Sequence, residues 1–254
     1  MAISKFNPFK ILARNPTLNA IMLDFNQHIR CQYIVSNLRT LSIKLSLTSH
    51  GLNIIDVGAG IGTLTKYLVG EFNCSITNVE TTKLRKLNNL VVADGRYLPF
   101  IDGAFDFSVS SDVLEHLASS DRTVFLQELL RCSRFGIIVT FSKLHTKNPQ
   151  SSGIKIFEFF CLRAAPQWYI EHNSNALVDN QRVVSILQNN GSNVQELRPI
   201  SGFFAVCFTG ILLNVPWVGN FYSSLNLIGY PIIRLIDRGP YYSFGVTALK
   251  KNLT

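Results

Sequence analysis

The chain has 254 residues, of which 47% are hydrophobic and 16% charged, and this is enough to bury the core of one large α/β domain. Lysine and arginine total 24 against 16 aspartates and glutamates, a formal net charge of +8. This excess favours anionic partners such as nucleic acid, a phospholipid surface or a phosphorylated substrate, although it is equally typical of a surface that charge keeps soluble. The five widely spaced cysteines include no C-x-x-C pair, which argues against a disulfide framework or a structural zinc site and favours a reducing compartment.

The sequence shows no segment with the character of a secretory signal or a membrane span. Residues 1–16 carry basic residues but no continuous apolar run, so a secretory signal is not expected. The most apolar segment, 202–219, is interrupted by Asn214 and Pro216 and is not predicted to cross a membrane. We therefore expect a cytoplasmic protein.

The first two thirds of the chain alternate between short apolar runs and segments of helical periodicity. Apolar residues at helical spacing over 17–47 predict one or two helices at the N-terminus. The predicted strands that follow are 53–57, 75–79, 90–93, 105–110 and 135–141, and the predicted helices between them are 62–70, 81–88 and 120–132. Short apolar strands in this alternation are typical of a doubly wound, Rossmann-like α/β sheet whose parallel strands are buried on both faces.

The last third of the chain predicts fewer regular elements. A helical pattern over 176–190 ends at the sequence NNG, which is a good helix stop, and strands are predicted at 193–199 and 242–249. Between those strands, residues 200–240 are apolar and aromatic, and glycine and proline interrupt them. We expect this segment to form an apolar helical insertion near the C-terminus.

The stretch NIIDVGAGIGTLTKYLVG places a glycine turn between a strand and a helix. Glycine lets the backbone approach a ligand closely, because no Cβ intervenes. The glycines have the spacing G-x-G-x-G, at Gly58, Gly60 and Gly62. A dinucleotide fingerprint requires G-x-G-x-x-G, and this chain has Thr63 in place of the third glycine of that pattern. Asp56 would be a poor neighbour for a pyrophosphate but suits a ligand with a cationic amino-acid end.

Two further acids follow predicted strands. Glu80 ends the run SITNVE, where its carboxylate can accept hydrogen bonds from a ribose diol, which both a dinucleotide and S-adenosylmethionine carry. Asp94 ends the third strand in VVADGRYLPF and could accept a hydrogen bond from an adenine amine. The fourth strand then lies beneath the bound ligand.

Four motifs in order, IIDVGAGIGTLTKYL, NVE, ADGRYLPF and FDFSVSSDVLEHL, closely resemble class I S-adenosylmethionine-dependent methyltransferases of the type 11 branch. The resemblance is strong over 50–142 and looser to the C-terminus, where YYSFGVTALKK is similar to the family's final antiparallel strand. It implies a seven-stranded, mostly parallel sheet with the last strand antiparallel. We expect a single domain over 1–254, with N-terminal helices in 1–50, a cofactor-binding half in 51–142 and a substrate-side half in 143–254.

The resemblance also implies which residues hold the cofactor, S-adenosyl-L-methionine. The three glycines would enclose its methionine part and ribose, Asp56 would hold the amino end, Glu80 the ribose, and Asp94 the adenine amine. The fourth strand would open onto the methyl group. The full set of cofactor-binding candidates is Asp56, Gly58, Gly60, Gly62, Glu80, Asp94, Gly95, Ser111 and Asp112.

Catalytic candidates follow the fourth strand in the sequence DVLEH. His116 is the predicted base, because a histidine pKa near ~6.5 suits it to accept a hydroxyl proton at neutral pH, and Asp112 is the second candidate. The spacing of Asp112, Glu115 and His116 is also similar to an acidic–acidic–His trio that ubiquinone-pathway O-methyltransferases use with a divalent cation, although no metal is required by the pattern. Alternatively, Glu115 and His116 only cap the following helix. A second Glu–His pair, Glu171 and His172, could face the cleft or cap a helix.

The sequence narrows the chemical class of the molecule that accepts the methyl group. Nucleic-acid amino methyltransferases carry an N-P-P-Y-like motif where this chain reads SSDV, so no nucleic-acid partner is expected. The segment 200–240, with Arg234 and Arg238, could lie on a membrane surface, form a lid or pack as core. We predict methyl transfer to a small-molecule, glycan or lipid-linked acceptor, with oxygen favoured. The alternatives are a catalytically inactive binding protein of the same fold and an NAD-dependent oxidoreductase.

Overall fold

A computed structural model describes residues 25–47, 51–83, 87–142, 178–202 and 241–251 of the chain. The strands are β1 Leu52–Val57, β2 Cys74–Glu80, β3 Leu90–Val92, β4 Phe105–Ser111, β5 Ser133–Ser142, β6 Ser192–Gly202 and β7 Tyr241–Lys250. The helices are α1 Phe25–Lys44, α2 Thr63–Glu71, α3 Asp121–Cys132 and α4 Asn180–Asn189, with a 3-10 turn at Leu114–His116.

The seven strands form one sheet in the order β3-β2-β1-β4-β5-β7-β6. Neighbouring strands from β3 to β5 run parallel, whereas β7 lies antiparallel between β5 and β6. The sequence prediction of a mostly parallel, Rossmann-like sheet with an antiparallel last strand is confirmed. The strand order reverses at β1 and β4, and such a switch point leaves a crevice at the carboxyl ends of the parallel strands.

The sheet is buried on both faces, which explains why its central strands are continuous apolar runs. On one face, α1 and α2 cover alternate residues of the strands, including Ile54, Phe107 and Ile138. On the other face, α3 and α4 cover the strand residues that alternate with these, such as Ile55 and Ile137. The two helical layers cover the faces of the central strands and leave their carboxyl ends as the open edge.

Helix α1 packs on one face of the sheet, and polar contacts also tie it to β7 and β6. The Tyr33 hydroxyl lies 3.0 Å from Oγ1 of Thr247 on β7, in a buried hydrogen bond. The Asn37 side chain donates to Oε2 of Glu196 on β6 at 3.2 Å. These contacts hold the middle of α1 against β6 and β7.

Most predicted elements agree with the structure to within a few residues, but the predicted helix over 81–88 is wrong in its described residues. Thr81 and Thr82 form a bend, and Asn88 and Asn89 form a turn in which Asn89 has a φ of 49°. The Asn78 side chain donates to the Asn88 carbonyl at 2.9 Å, so this turn is pinned to β2. Asparagine favours such a turn because it tolerates the left-handed conformation.

Several predictions concern residues outside the described part of the chain. They are the insertion over 200–240 beyond Gly202, the apolar segment 202–219 and the pair Glu171–His172. None of the helices in the described ranges has both the length and the apolar character that a membrane crossing needs.

Candidate active site

Two cavities open at the carboxyl edge of the sheet, on either side of β1 and β4. The larger has a volume of about 400 Å³ and lies over the ends of β2 and β3. The smaller, of about 160 Å³, lies between the glycine turn and α1. Gly58 and Asp112 line both cavities, so the two spaces meet at these residues.

The glycine turn is shaped for close approach of a ligand at Gly60. Gly58 has a φ of 78°, and a Cβ there would lie 2.2 Å from Cγ2 of Val113, so this glycine is required by packing. Gly60 also has a positive φ, of 53°, but no described atom lies within 4 Å of the place where its Cβ would stand. Open space above an exposed stretch of backbone is what a ligand needs in order to pack against it.

Asp56, the last but one residue of β1, points a buried carboxylate into the smaller cavity. Its exposed fraction is 1%. Its Oδ2 has no hydrogen-bond partner among the described residues. Burial, together with the nearby charge of Glu80, raises the pKa of Asp56 to about 7. A buried carboxylate oxygen without a partner is costly, so its presence indicates a cationic or hydrogen-bonding ligand at this point.

Glu80 ends β2 and bends its carboxylate back towards the glycine turn. The Gly60 amide donates to Oε1 of Glu80 at 2.5 Å, and the Thr81 amide donates to Oε2 at 3.3 Å. Glu80 also lines the larger cavity. The carboxylate is therefore held at the rim by backbone donors, in a position from which it can accept further hydrogen bonds.

Asp94 also lines the larger cavity, but its carboxylate already has a partner. Arg96 binds both carboxylate oxygens, with Nη2 2.6 Å from Oδ2 and Nε 3.0 Å from Oδ1, and it reaches Asp121 on α3 with its other nitrogen. The hydrogen bonds from Arg96 hold the pKa of Asp94 below its usual value. Beside it, Gly95 lies against Phe125, where a Cβ would meet the ring at 2.6 Å.

Asp112 follows β4 in a strained conformation, with a φ of 57°. Its carboxylate forms an ion pair with the guanidinium of Arg30 on α1, and the two side chains are only 21% and 9% exposed. Non-glycine residues in the left-handed region cost energy and persist where the surroundings impose them, often at functional sites. The N-terminal helix thus supplies the cation that faces this residue.

Glu115 and His116 point in different directions from the 3-10 turn. Glu115 is 2% exposed, and its Oε1 accepts a hydrogen bond from the Ser142 amide at 3.1 Å. Burial and the neighbouring Asp112 raise the pKa of Glu115 to about 8. His116 is exposed and lines the larger cavity. Within the described ranges, no three His, Cys, Asp or Glu side chains are arranged to hold a metal ion.

The structure brings most of the predicted site residues together along this one edge. The larger cavity contains Glu80, Asp94, Gly95 and His116, the smaller contains Asp56, Gly60 and Ser111, and both contain Gly58 and Asp112. Gly62 lines neither cavity and instead precedes α2. Sequence reasoning missed the contribution of α1, which places Gln27 and Cys31 in the smaller cavity and Arg30 against Asp112.

One family model matches the central segment of the chain. Residues 55–140 match the model of the type 11 family, described as a methyltransferase domain. The match begins in β1 and ends in β5, and therefore includes the glycine turn, Glu80, Asp94 and the end of β4.

Curated relatives match over the same part of the chain. A glycine/sarcosine/dimethylglycine N-methyltransferase from Actinopolyspora halophila is 35% identical over 92 residues, which is 31% of this chain and 16% of the relative. Tocopherol O-methyltransferase of Arabidopsis thaliana is 32% identical over 105 residues, 35% of this chain and 30% of the relative. Ajmaline N-methyltransferase of Rauvolfia serpentina is 28% identical over 127 residues, 44% of this chain and 43% of the relative. The chain thus spans less than half the length of each of these relatives.

Among solved structures, magnesium protoporphyrin IX methyltransferase from Synechocystis with bound S-adenosylhomocysteine is similar, with a TM-score of 0.51. The match covers 88% of this chain and 84% of that protein at 13% identity. At this identity the likeness shows the fold alone.

Proposed function

We propose that this chain, whose residues 55–140 belong to the type 11 methyltransferase family, transfers the methyl group of S-adenosylmethionine to a small-molecule, glycan or lipid-linked acceptor. S-adenosylmethionine is the cofactor of this domain. The observation that carries the proposal is the divided cleft, in which a buried carboxylate with an unsatisfied oxygen faces one cavity and a rim carboxylate faces the other.

The residues present fit this cofactor. Its amino-acid end carries an ammonium group, which would satisfy the buried Oδ2 of Asp56 in the smaller cavity. Its ribose diol can donate to Glu80 at the rim, and its adenine fits the apolar part of the larger cavity between Val79 and Phe125. Gly60 presents its backbone where no side chain intervenes. A dinucleotide would instead bring a pyrophosphate towards Asp56, where two like charges would repel.

When bound, the cofactor supplies a methyl group on a positively charged sulfur that leaves as a neutral thioether. The tasks left to the chain are to align the acceptor, to exclude water and to accept a proton if the acceptor is a hydroxyl. The 3-10 turn after β4 borders the larger cavity, where the acceptor would meet the cofactor.

His116 is the better placed base of the two candidates. Asp112 forms an ion pair with Arg30, and a carboxylate stabilised in its charged form accepts a proton poorly. His116 lines the larger cavity and is exposed, so an acceptor can reach its ring. This difference favours an oxygen acceptor whose proton passes to an imidazole nitrogen, while the relatives include both N- and O-methyltransferases.

A lipid-linked acceptor is the narrower form of the proposal. The apolar segment 200–240 carries Arg234 and Arg238, a combination that suits an amphipathic element at a membrane surface. We therefore propose that the protein acts in the cytoplasm and contacts membranes peripherally.

We also propose that residues 1–254 form a single methyltransferase domain. One sheet includes strands from Leu52 to Lys250, which supports a single domain.

The proposal is tested by methyl transfer from isotopically labelled S-adenosylmethionine to panels of hydroxyl, amine and lipid-linked acceptors. We expect label on an oxygen and a fall in kcat of about 10²-fold or more in His116→Gln, since general-base catalysis contributes this much. A matched control is Ser119→Ala, a change in the same loop outside both cavities. Transfer to nitrogen at an unchanged rate in His116→Gln would contradict the oxygen proposal. Binding of the cofactor without transfer to any acceptor would favour the inactive binding protein.

A further inference from the structure

The contact between Arg30 and Asp112 joins two parts of the chain that the methyltransferase motifs do not connect. Arg30 lies on α1, outside the segment 55–140, whereas Asp112 lies at the end of β4 inside it. The ion pair is largely buried, with side chains 9% and 21% exposed. A pair shielded from water in this way interacts more strongly than one at the surface.

Asp112 occupies a particular position between the two cavities. It lines both, together with Gly58, and its backbone is strained at a φ of 57°. Its amide donates to the Thr140 carbonyl at 2.9 Å, which ties the strained turn to β5. The protein thus holds one carboxylate at the junction of the two spaces.

We infer that Arg30 is a positioning residue of the methyl-transfer site, which orients the Asp112 carboxylate at the junction of the two cavities and compensates its charge beside the cofactor's sulfur. The inference rests on the proposed function. The cofactor consists of a nucleoside and an amino acid that join at the sulfur, and the two cavities that would take these ends join at Asp112.

Charge compensation matters because methyl transfer removes a positive charge. The sulfur–methyl bond breaks, the sulfur keeps the electron pair, and the methyl group forms a bond to the acceptor. A carboxylate with nothing to balance it would attract the positive sulfur in the ground state and lose that attraction in the transition state. An interaction stronger in the ground state than in the transition state slows the reaction. Arg30 balances Asp112 and thereby lets an acid stand at the junction without this penalty.

The prediction is specific to charge and can be read from binding alone. S-adenosylmethionine and S-adenosylhomocysteine differ by one methyl group and one positive charge, so the ratio of their affinities reports the electrostatic potential at the sulfur. Arg30→Gln should raise the preference for S-adenosylmethionine about tenfold, as expected for a partly buried charge pair. Asp112→Asn should lower the preference by a similar factor, because the Arg30 cation then stays without its carboxylate.

Two further variants separate charge from packing. Arg30→Lys keeps the cation and should leave the affinity ratio near that of the wild type, even if it weakens both ligands. The double variant Arg30→Gln/Asp112→Asn should also return to a near wild-type ratio, since both charges are gone. A matched control is Arg39→Gln on the same helix, because Arg39 forms an exposed ion pair with Glu71, away from both cavities.

The experiment is calorimetric titration of each full-length variant with both ligands, after thermal melting has shown that the variant is folded. Opposite shifts in Arg30→Gln and Asp112→Asn that cancel in the double variant are the expected result. Equal weakening of both ligands in all three, with no change in ratio, would overturn the inference and show a purely structural ion pair. If Arg30→Gln does not fold, the shift in Asp112→Asn still decides. Failure of the wild type to bind either ligand would refute the proposed function instead.

Discussion

The two cavities hold their acids in opposite ways. In the smaller cavity, the Asp56 carboxylate is buried and its Oδ2 has no partner among the described residues, and its pKa is raised to about 7. In the larger cavity, the Asp94 carboxylate is 37% exposed and paired with Arg96, and its pKa is lowered. A ligand gains most where the protein has left a buried group unsatisfied, so we expect the smaller cavity to dominate cofactor affinity.

The largest effect should come from Asp56→Asn, which keeps the shape and removes the charge. A hydrogen-bonded ion pair in a buried site contributes enough for a loss of up to about 100-fold in affinity for S-adenosylhomocysteine. Calorimetric titration measures the loss. Asp106→Asn is the matched control, because Asp106 accepts a hydrogen bond from the Asn53 amide and lines neither cavity. Equal weakening in both variants would contradict the comparison.

The same variant should stabilise the ligand-free protein. The folded-state pKa of Asp56 lies above that of an unfolded chain, so its contribution to stability is present below about pH 4 and is lost as the pH rises through about 7. Asparagine does not ionise, so the variant does not lose stability in this way as the pH rises. The melting temperature of Asp56→Asn should therefore exceed that of the wild type, and by more at pH 8 than at pH 5. A destabilised variant would mean that Asp56 has a structural role.

Gly60→Ala should weaken the cofactor by about tenfold or more, because its Cβ enters the space that a ligand needs rather than space filled by the described residues. Gly103→Ala provides a matched control. Gly103 also has a positive φ, of 66°, and no described atom lies within 4 Å of its Cβ position, but it lines neither cavity. Both variants should lose similar stability in thermal melting, and only Gly60→Ala should lose binding.

Cofactor affinity should also depend on pH through Asp56. A cationic ligand favours the ionised carboxylate, so binding releases a proton wherever the free protein holds one. Affinity should therefore rise as the pH increases from 6 to 8, by up to about tenfold. Titrations in two buffers with different ionisation enthalpies count the protons released, and Asp56→Asn should release none. A flat affinity profile would place the pKa of Asp56 outside this range.

The smallest effect is expected at Asp94. Arg96 already neutralises this partly exposed carboxylate, and exposed hydrogen bonds contribute little beyond what water supplies. Asp94→Asn should weaken S-adenosylhomocysteine by only about threefold, measured in the same titration. A loss as large as that of Asp56→Asn would invert the comparison and make the adenine end the dominant anchor.

The local patterns of the sequence predicted the sheet and the acidic residues that line the two cavities, and they failed where distant residues meet. Strands are readable because burial on both faces makes them apolar runs, and the glycine turn is readable because its spacing is local. Arg30 and Asp112 are 82 positions apart, and nothing in the helical periodicity of α1 marks a residue that will face β4. The ion pair between Asp94 and Arg96 is local, since both residues stand in ADGRYLPF. The sequence alone does not show which of several nearby carboxylates the arginine binds.

The most direct test of the account is calorimetric titration of the wild-type protein with S-adenosylhomocysteine, with NAD as the control ligand. We predict that S-adenosylhomocysteine binds, that NAD does not, and that Glu80→Ala strongly weakens the binding because the carboxylate at the rim of the larger cavity is lost. Binding of NAD in place of S-adenosylhomocysteine would contradict the account.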